Sequence, residues 1–70
     1  MFPRYELDVH YKGSLIFKGT FCSINRVIKT AACFEEDCVY FLYDSLFDST
    51  FTHATVTKLI KEFKYGEIYL

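Results

Sequence analysis

The chain has 70 residues, of which 51% are hydrophobic and 20% aromatic, and its eight Lys and Arg against nine Asp and Glu give a formal net charge of −1. This length allows one domain, so we expect residues 1–70 to form a single compact domain and, since they begin with Met1, a complete short gene product. The balanced charge argues against a protein that depends on phosphate contacts, because such proteins carry a positive excess, and also against an acidic mimic of DNA.

The aromatic content is high for such a small chain, with eight Phe and six Tyr. A small domain has little interior, so we expect some of these rings to be partly exposed. An exposed surplus of aromatic side chains is typical of a partner surface or of a homodimer face.

The three cysteines, Cys22, Cys33 and Cys38, include no pair with the two-residue gap of a zinc or redox motif. We therefore expect three reduced, mostly buried thiols. No segment approaches the ~20 apolar residues of a membrane span, and the first residues lack a signal-peptide layout. Together these features predict a cytoplasmic protein.

Residues 5–12 alternate between apolar and polar side chains, which predicts a half-buried strand. A Lys-Gly-Ser turn follows, in which Gly13 is free to adopt a positive φ. Residues 15–21 resume the alternation, so the two runs predict a β-hairpin. The positions expected on its apolar face are Tyr5, Leu7, Val9, Tyr11, Leu15, Phe17, Gly19 and Phe21.

Ser23 occupies an N-cap position and precedes an apolar stripe with helical spacing. The stripe consists of Ile24, Val27, Ile28, Ala31 and Phe34. Carboxylates oppose the macrodipole at a helix C-terminus, so the helix is expected to end near Phe34 and to release the following acidic triplet into a loop.

Residues 38–43 are apolar on both faces, which predicts a strand that is covered on both sides or that turns one face to a partner. Val39 and Phe41 are assigned to the core, and Tyr40 and Tyr43 are left over.

Residues 44–52 are expected to form a loop, after which Thr52 can cap a second helix with the stripe Val56, Leu59, Ile60 and Phe63. Gly66 lies where a C-cap glycine is expected. The threonines at 50–57 leave open a fourth strand instead of the first helical turn. Residues 67–70 resemble a terminal strand.

These elements predict an α+β fold without internal repeats. It has a small, mainly antiparallel sheet of three to four strands, with two helices on one face and the order β-β-α-β-α-(β).

The chain offers little catalytic chemistry. His10 falls on the polar face of the first predicted strand, and His53 lies near the start of the second helix, where surface roles are expected. No pairing of His, Cys or Glu has the spacing of a metal site, and the three glycines are too far apart to form a phosphate-binding loop. We therefore expect a protein that is not an enzyme and has no cofactor and no metal.

The segment 44–52 places three large apolar residues among polar turn formers. They either fold back to plug one end of the core or, if exposed, act as anchor residues of an interface. The acids around the ends of the third strand would then form a rim complementary to a basic partner. The predicted partner-binding residues are Leu46, Phe47, Phe51, Asp44, Asp48, Glu35, Glu36, Asp37, Tyr40 and Tyr43.

Two alternatives stay open. Tyr40, Tyr43 and Phe17 on a sheet are a possible base-stacking platform of a small nucleic-acid-associated protein, although the scattered cations make this partner the less expected one. A homodimer that buries the extra rings, or that pairs exposed edge strands, is the second alternative.

In its general traits the chain resembles the small accessory proteins encoded by bacteriophages. The shared traits are a short frame starting with Met, aromatic richness, a compact α+β pattern and no catalytic motif. The resemblance implies a protein that binds and blocks a bacterial host protein in the host cytoplasm, such as a defence nuclease or a part of the transcription machinery.

Overall fold

The computed structural model describes residues 3–34 and 37–66. In chain order the elements are β1 (Tyr5–Tyr11), β2 (Ser14–Phe21), α1 (Ile24–Ala31), β3 (Val39–Asp44), β4 (Ser49–Phe51) and α2 (His53–Lys64). The four strands form one antiparallel sheet in the order β2-β1-β3-β4. Both helices pack on one face of this sheet, so the predicted α+β class is confirmed.

The element order differs from the prediction at one place. The short strand β4 forms in the segment expected to be a loop, and it pairs with the last three residues of β3. The predicted terminal strand at 67–70 lies outside the described residues.

The predicted hairpin is confirmed. Tyr11 and Ser14 pair across a two-residue turn, in which Lys12 and Gly13 have φ values of 50° and 82°. Two successive positive φ values are the geometry that matches the right-handed twist of paired strands.

Both helices begin at the predicted caps. The Ser23 side chain accepts a hydrogen bond from the Asn25 N–H, and the Thr52 side chain accepts one from the Thr55 N–H. Both interpretations of the threonines at 50–57 hold in part, because Thr50 lies in the fourth strand, β4, and helix α2 begins at His53 after the Thr52 cap. Gly66 ends α2 as predicted for a terminal glycine, since it follows the C-cap residue Tyr65 with a φ of 75°.

Helix α1 is shorter than predicted. It ends at Ala31, and the chain continues in tight turns in which Cys33 N–H donates to Thr30 O and Phe34 N–H to Ala31 O. Within the described residues, neither helix is long and apolar enough to cross a membrane.

The core lies between the sheet and the helices. The prediction of which β3 side chains point into this core was wrong. Tyr40 and Leu42 are buried against the helices, whereas Val39 and Phe41 are exposed on the opposite face. An apolar run on both faces carries no alternation that would reveal its inward side. The Tyr40 hydroxyl is tolerated inside because it donates to Ala31 O at 3.2 Å.

A β-bulge overturns the predicted placement of Leu15. Val9 pairs with Phe17 but His10 pairs with Leu15, so Ile16 is an extra residue in β2. An inserted residue reverses the facing of the side chains beyond it. Leu15 therefore lies on the same face as His10, away from the helices, and is exposed.

The expectation of mostly buried thiols was also wrong, because Cys22 and Cys33 are exposed and only Cys38 among the three is buried.

The element order β-β-α occurs twice, which the sequence did not reveal. β1, β2 and α1 form the first unit, and β3, β4 and α2 form the second. The first strands of the two units pair at the centre of the sheet, and the second strands are its edges. Val27 and Val56 each follow their N-cap by four residues, and both are fully buried.

Candidate functional site: the turn between β3 and β4

A four-residue turn, Ser45–Asp48, connects the paired residues Asp44 and Ser49. Leu46 and Phe47 at its tip are 65% and 69% exposed. They therefore do not plug the core. Phe51 behaves differently, since it is partly buried and packs against the core cluster.

The base of the turn is held by Arg4, a residue that the sequence did not single out. Its Nε and Nη2 atoms donate to Asp44 Oδ1 and Oδ2, both at 2.9 Å. Asp44 is only 3% exposed, and its Oδ1 also accepts the Leu46 N–H at 3.0 Å. The Arg4 hydrogen bonds hold the pKa of the Asp44 carboxyl below its ordinary value. Asp44 is thus a neutralised structural group and not part of an exposed acidic rim.

The Arg4 guanidinium also contacts two aromatic rings. It lies 4.9 Å from the centre of the Tyr5 ring and 5.1 Å from that of Phe47. Cation–π contacts of this kind are attractive within about 6 Å. Arg4 therefore links the start of β1, the carboxylate at the end of β3 and the ring at the tip of the turn.

Further hydrogen bonds fix the backbone of the turn. The N–H and the hydroxyl of Ser45 both donate to Arg4 O, at 2.9 and 2.8 Å. The Tyr43 hydroxyl donates to Asp48 Oδ1 at 2.6 Å, and this bond to a carboxylate raises the pKa of Tyr43. Asp48 has a φ of 47°, in the left-handed region that Asp tolerates better than most residues.

Of the predicted acids that the structure describes, Asp44 and Asp48 lie at the turn and Asp37 lies apart from them. Asp37 precedes β3 and Asp48 follows it, so the six residues of the strand separate them by roughly 20 Å. Glu35 and Glu36 lie outside the described residues. Asp48 is the predicted acid that lies beside Leu46 and Phe47 and is exposed.

Tyr40 is removed from the candidate surface by its burial. Its ring stacks on His53 with centroids 5.9 Å apart, and its N–H donates to His53 Nδ1 at 3.2 Å. Burial also raises its pKa. Phe17 lies on the helix-covered face and Tyr43 on the other, so the structure does not bring Tyr40, Tyr43 and Phe17 together as a stacking platform.

The face of the sheet opposite the helices carries apolar residues that the sequence assigned to the core. Phe41 is 49% exposed, and its ring meets the His10 ring edge-on at 5.1 Å. Glu6 and Lys18 form an exposed ion pair at 3.2 Å nearby. The pairing of β3 with β1 would have been needed to find this face, because periodicity within β3 does not show it.

Asp8 Oδ1 and His10 Nδ1 on this face are buried and have no hydrogen-bond partner among the described residues. Over residues 3–34 and 37–66, no three His, Cys, Asp or Glu side chains are grouped closely enough to hold a metal ion.

Compared with protein-family models, curated proteins and solved structures, the chain shows no match.

Proposed function

We propose that this chain is a non-enzymatic protein-binding module that inserts Leu46 and Phe47 into an apolar pocket of a partner protein. The observation that carries the proposal is the exposure of both side chains on a turn whose backbone is held by hydrogen bonds. Burying a Leu and a Phe side chain contributes about 1.5–3 kcal/mol each.

The rigidity of the turn supports a binding role. A loop that is already ordered loses little conformational entropy on binding, so more of the contact energy remains as affinity. Arg4 orders both the base of the turn, through Asp44, and its tip, through the Phe47 ring. These contacts favour one geometry of the turn backbone and of the Phe47 ring before a partner binds.

The charges around the tip indicate the chemistry of the partner. Arg4 and Asp44 neutralise each other, which leaves the exposed Asp48 carboxylate beside Leu46 and Phe47. We expect an apolar pocket with a basic group or hydrogen-bond donor at the edge that faces Asp48. The narrower role, a bacteriophage protein that inhibits a bacterial host protein, stays a prediction, and it selects the lysate for the experiment below.

The proposal is tested by affinity capture from bacterial lysate with three forms of the full chain. These are the natural sequence, the double variant Leu46→Ser/Phe47→Ser, and Tyr65→Ser as the control. Tyr65 is 78% exposed but lies at the end of α2, so its substitution removes a similar apolar surface elsewhere. We expect a protein that is retained by the natural sequence and by Tyr65→Ser but lost from the double variant.

The retained protein is then purified and its affinity for each single variant is measured by calorimetry. Anchor residues contribute about 2 kcal/mol or more, so Phe47→Ser should weaken binding about 30-fold. Circular dichroism should show that both turn variants stay folded, because neither side chain belongs to the core. Unchanged affinity of the turn variants, or capture lost equally with Tyr65→Ser, would contradict the proposal.

A further inference from the structure

The outer edge of β2 is separate from the proposed binding turn, because β2 and β4 are opposite edges of the sheet. β2 has eight residues and is the longest strand, and within the described residues no strand pairs with its outer side. An open strand edge presents unpaired N–H and C=O groups that can bind another strand.

The hydrogen bonding of β3 shows which backbone groups of β2 point outward. Tyr40 N–H points away from β1, because it donates to a side chain of α2. Successive residues of a strand direct these groups to opposite sides, so Phe41 bonds with its partner Asp8 in β1. The backbone N–H and C=O of Asp8 therefore point toward β3 and do not bond with Lys18, which lies opposite Asp8 in β2. Lys18 and Thr20 therefore direct their N–H and C=O groups outward.

The sequence at this edge is nearly symmetric about Gly19. Reading outward in either direction gives a polar residue and then a phenylalanine, in the run Phe-Lys-Gly-Thr-Phe at 17–21. The polar side chains lie on the open face of the sheet and the rings on the helix side, as the pairing with β1 requires. A two-fold axis through Gly19 therefore places a polar residue opposite a polar residue and a phenylalanine opposite a phenylalanine.

We propose that a second copy of this chain pairs with β2, antiparallel and centred on Gly19, to form a continuous eight-stranded sheet. In this register Lys18 and Thr20 pair with Thr20 and Lys18 of the partner subunit, so the outward N–H and C=O groups of these two residues meet outward groups of the partner strand. Phe17 and Phe21 lie opposite Phe21 and Phe17 of the partner subunit. Aromatic cross-strand pairs are among the stabilising ones.

The side-chain packing fits this register. The Phe17 and Phe21 rings lie 6.4 Å apart and are only partly buried, so each has surface left to cover. The Phe17 ring folds over Gly19, where a Cβ atom would come within 2.7 Å of it. The glycine thus leaves space for the ring between the two phenylalanine positions.

The neighbouring registers are worse. Centring the axis on Lys18 places two lysines directly opposite each other, which is destabilising, and brings the bulge at Ile16 into the ladder. Centring it on Thr20 moves Phe17 beyond the end of the partner strand. The Gly19 register alone among these three keeps both aromatic pairs and separates the lysines.

The experiment is sedimentation equilibrium on the full chain from about 5 to about 500 µM, since an interface this short is at the small end for specific complexes and its dimer should be weak. We expect the mass to rise from 8.3 kDa toward twice that value. Thr20→Pro removes an outward N–H that no bond within the sheet uses, and it should weaken dimerisation at least tenfold. A natural sequence that stays monomeric over this range would overturn the proposal.

Thr50→Pro is the matched control. Thr50 lies opposite Tyr43, so its N–H also points outward, but from the other edge of the sheet. Both threonines are exposed and both precede a phenylalanine that ends its strand. Thr50→Pro should dimerise like the natural sequence. Equal loss of dimer in the two variants, or no loss in Thr20→Pro, would show that the copies associate elsewhere.

Hydrogen exchange of the natural sequence provides a test that needs no folded variant. The Lys18 and Thr20 amides should exchange more slowly as concentration rises. The Gly19 amide, which faces Leu7 in β1, should not change. Protection that rises equally at all three amides, or at none, would refute the register.

Discussion

The face of β3 that points into the core can be identified by placing threonine at two adjacent positions of the strand. Leu42 is fully buried and Phe41 is 49% exposed, whereas the sequence alone assigned Phe41 to the core. Threonine suits a strand at either position, so both variants keep the backbone preference of β3. What differs is only the side of the sheet from which the apolar side chain is removed.

The expected costs follow from burial. Leu42→Thr removes about two buried carbons at ~0.8 kcal/mol each and buries a hydroxyl without a partner, for a total of about 3–4 kcal/mol. Phe41→Thr removes a ring that is already half in water, which costs about 1 kcal/mol. A domain of this length has only about 4–10 kcal/mol of stability, so Leu42→Thr should leave it marginally folded.

Urea denaturation followed by circular dichroism measures both costs. With a slope near 1 kcal/mol per molar urea, the midpoint should fall by about 3 M for Leu42→Thr and about 1 M for Phe41→Thr. The reverse order would show that β3 turns its other face to the helices. It would also refute the placement of Tyr40 in the core.

Three further predictions concern the polar contacts of the fold. Tyr40→Phe removes the hydrogen bond to Ala31 O and should cost about 1 kcal/mol in urea denaturation. Arg4 lowers the pKa of Asp44, so this pair contributes its full stability above the ordinary Asp pKa of about 4, and the contribution is lost as the pH falls through the lower folded value. Asp44→Asn should therefore flatten the acid dependence of the urea midpoint, and an unchanged slope would contradict the ion pair. His53→Ala removes the acceptor of the Tyr40 N–H, so exchange of that amide should speed up about fivefold, while an unaltered rate would mean that the bond does not protect it.

Local patterns in the sequence were sufficient for the hairpin and for both helix starts. Alternation along β1, a glycine in a two-residue turn and the caps Ser23 and Thr52 each depend on residues close in sequence. The choice of the buried face of β3 and the bulge at Ile16 depend on how the strands pair. The periodicity of a single strand does not reveal that pairing.

The candidate site shows the same division. Exposure of Leu46 and Phe47 was one of two interpretations of a turn-rich segment, and the structure selects it. The role of Arg4 was out of reach because its partner Asp44 is 40 residues away in sequence. The acids were grouped by sequence proximity, although β3 separates Asp37 from Asp48.

The ladder between β1 and β3 joins the two β-β-α units, and its long sequence separation bears on the folding rate. Each unit contains a local hairpin, which forms within microseconds. The β1–β3 ladder instead pairs Tyr5 with Asp44 and His10 with Val39. Its contacts can form only when a loop of about 30 to 40 residues closes. We expect the refolding rate to respond to substitutions at Leu7 and Leu42, and much less to changes in the Lys12–Gly13 turn. We therefore expect the β1–β3 ladder, where the two units meet, to set the folding time.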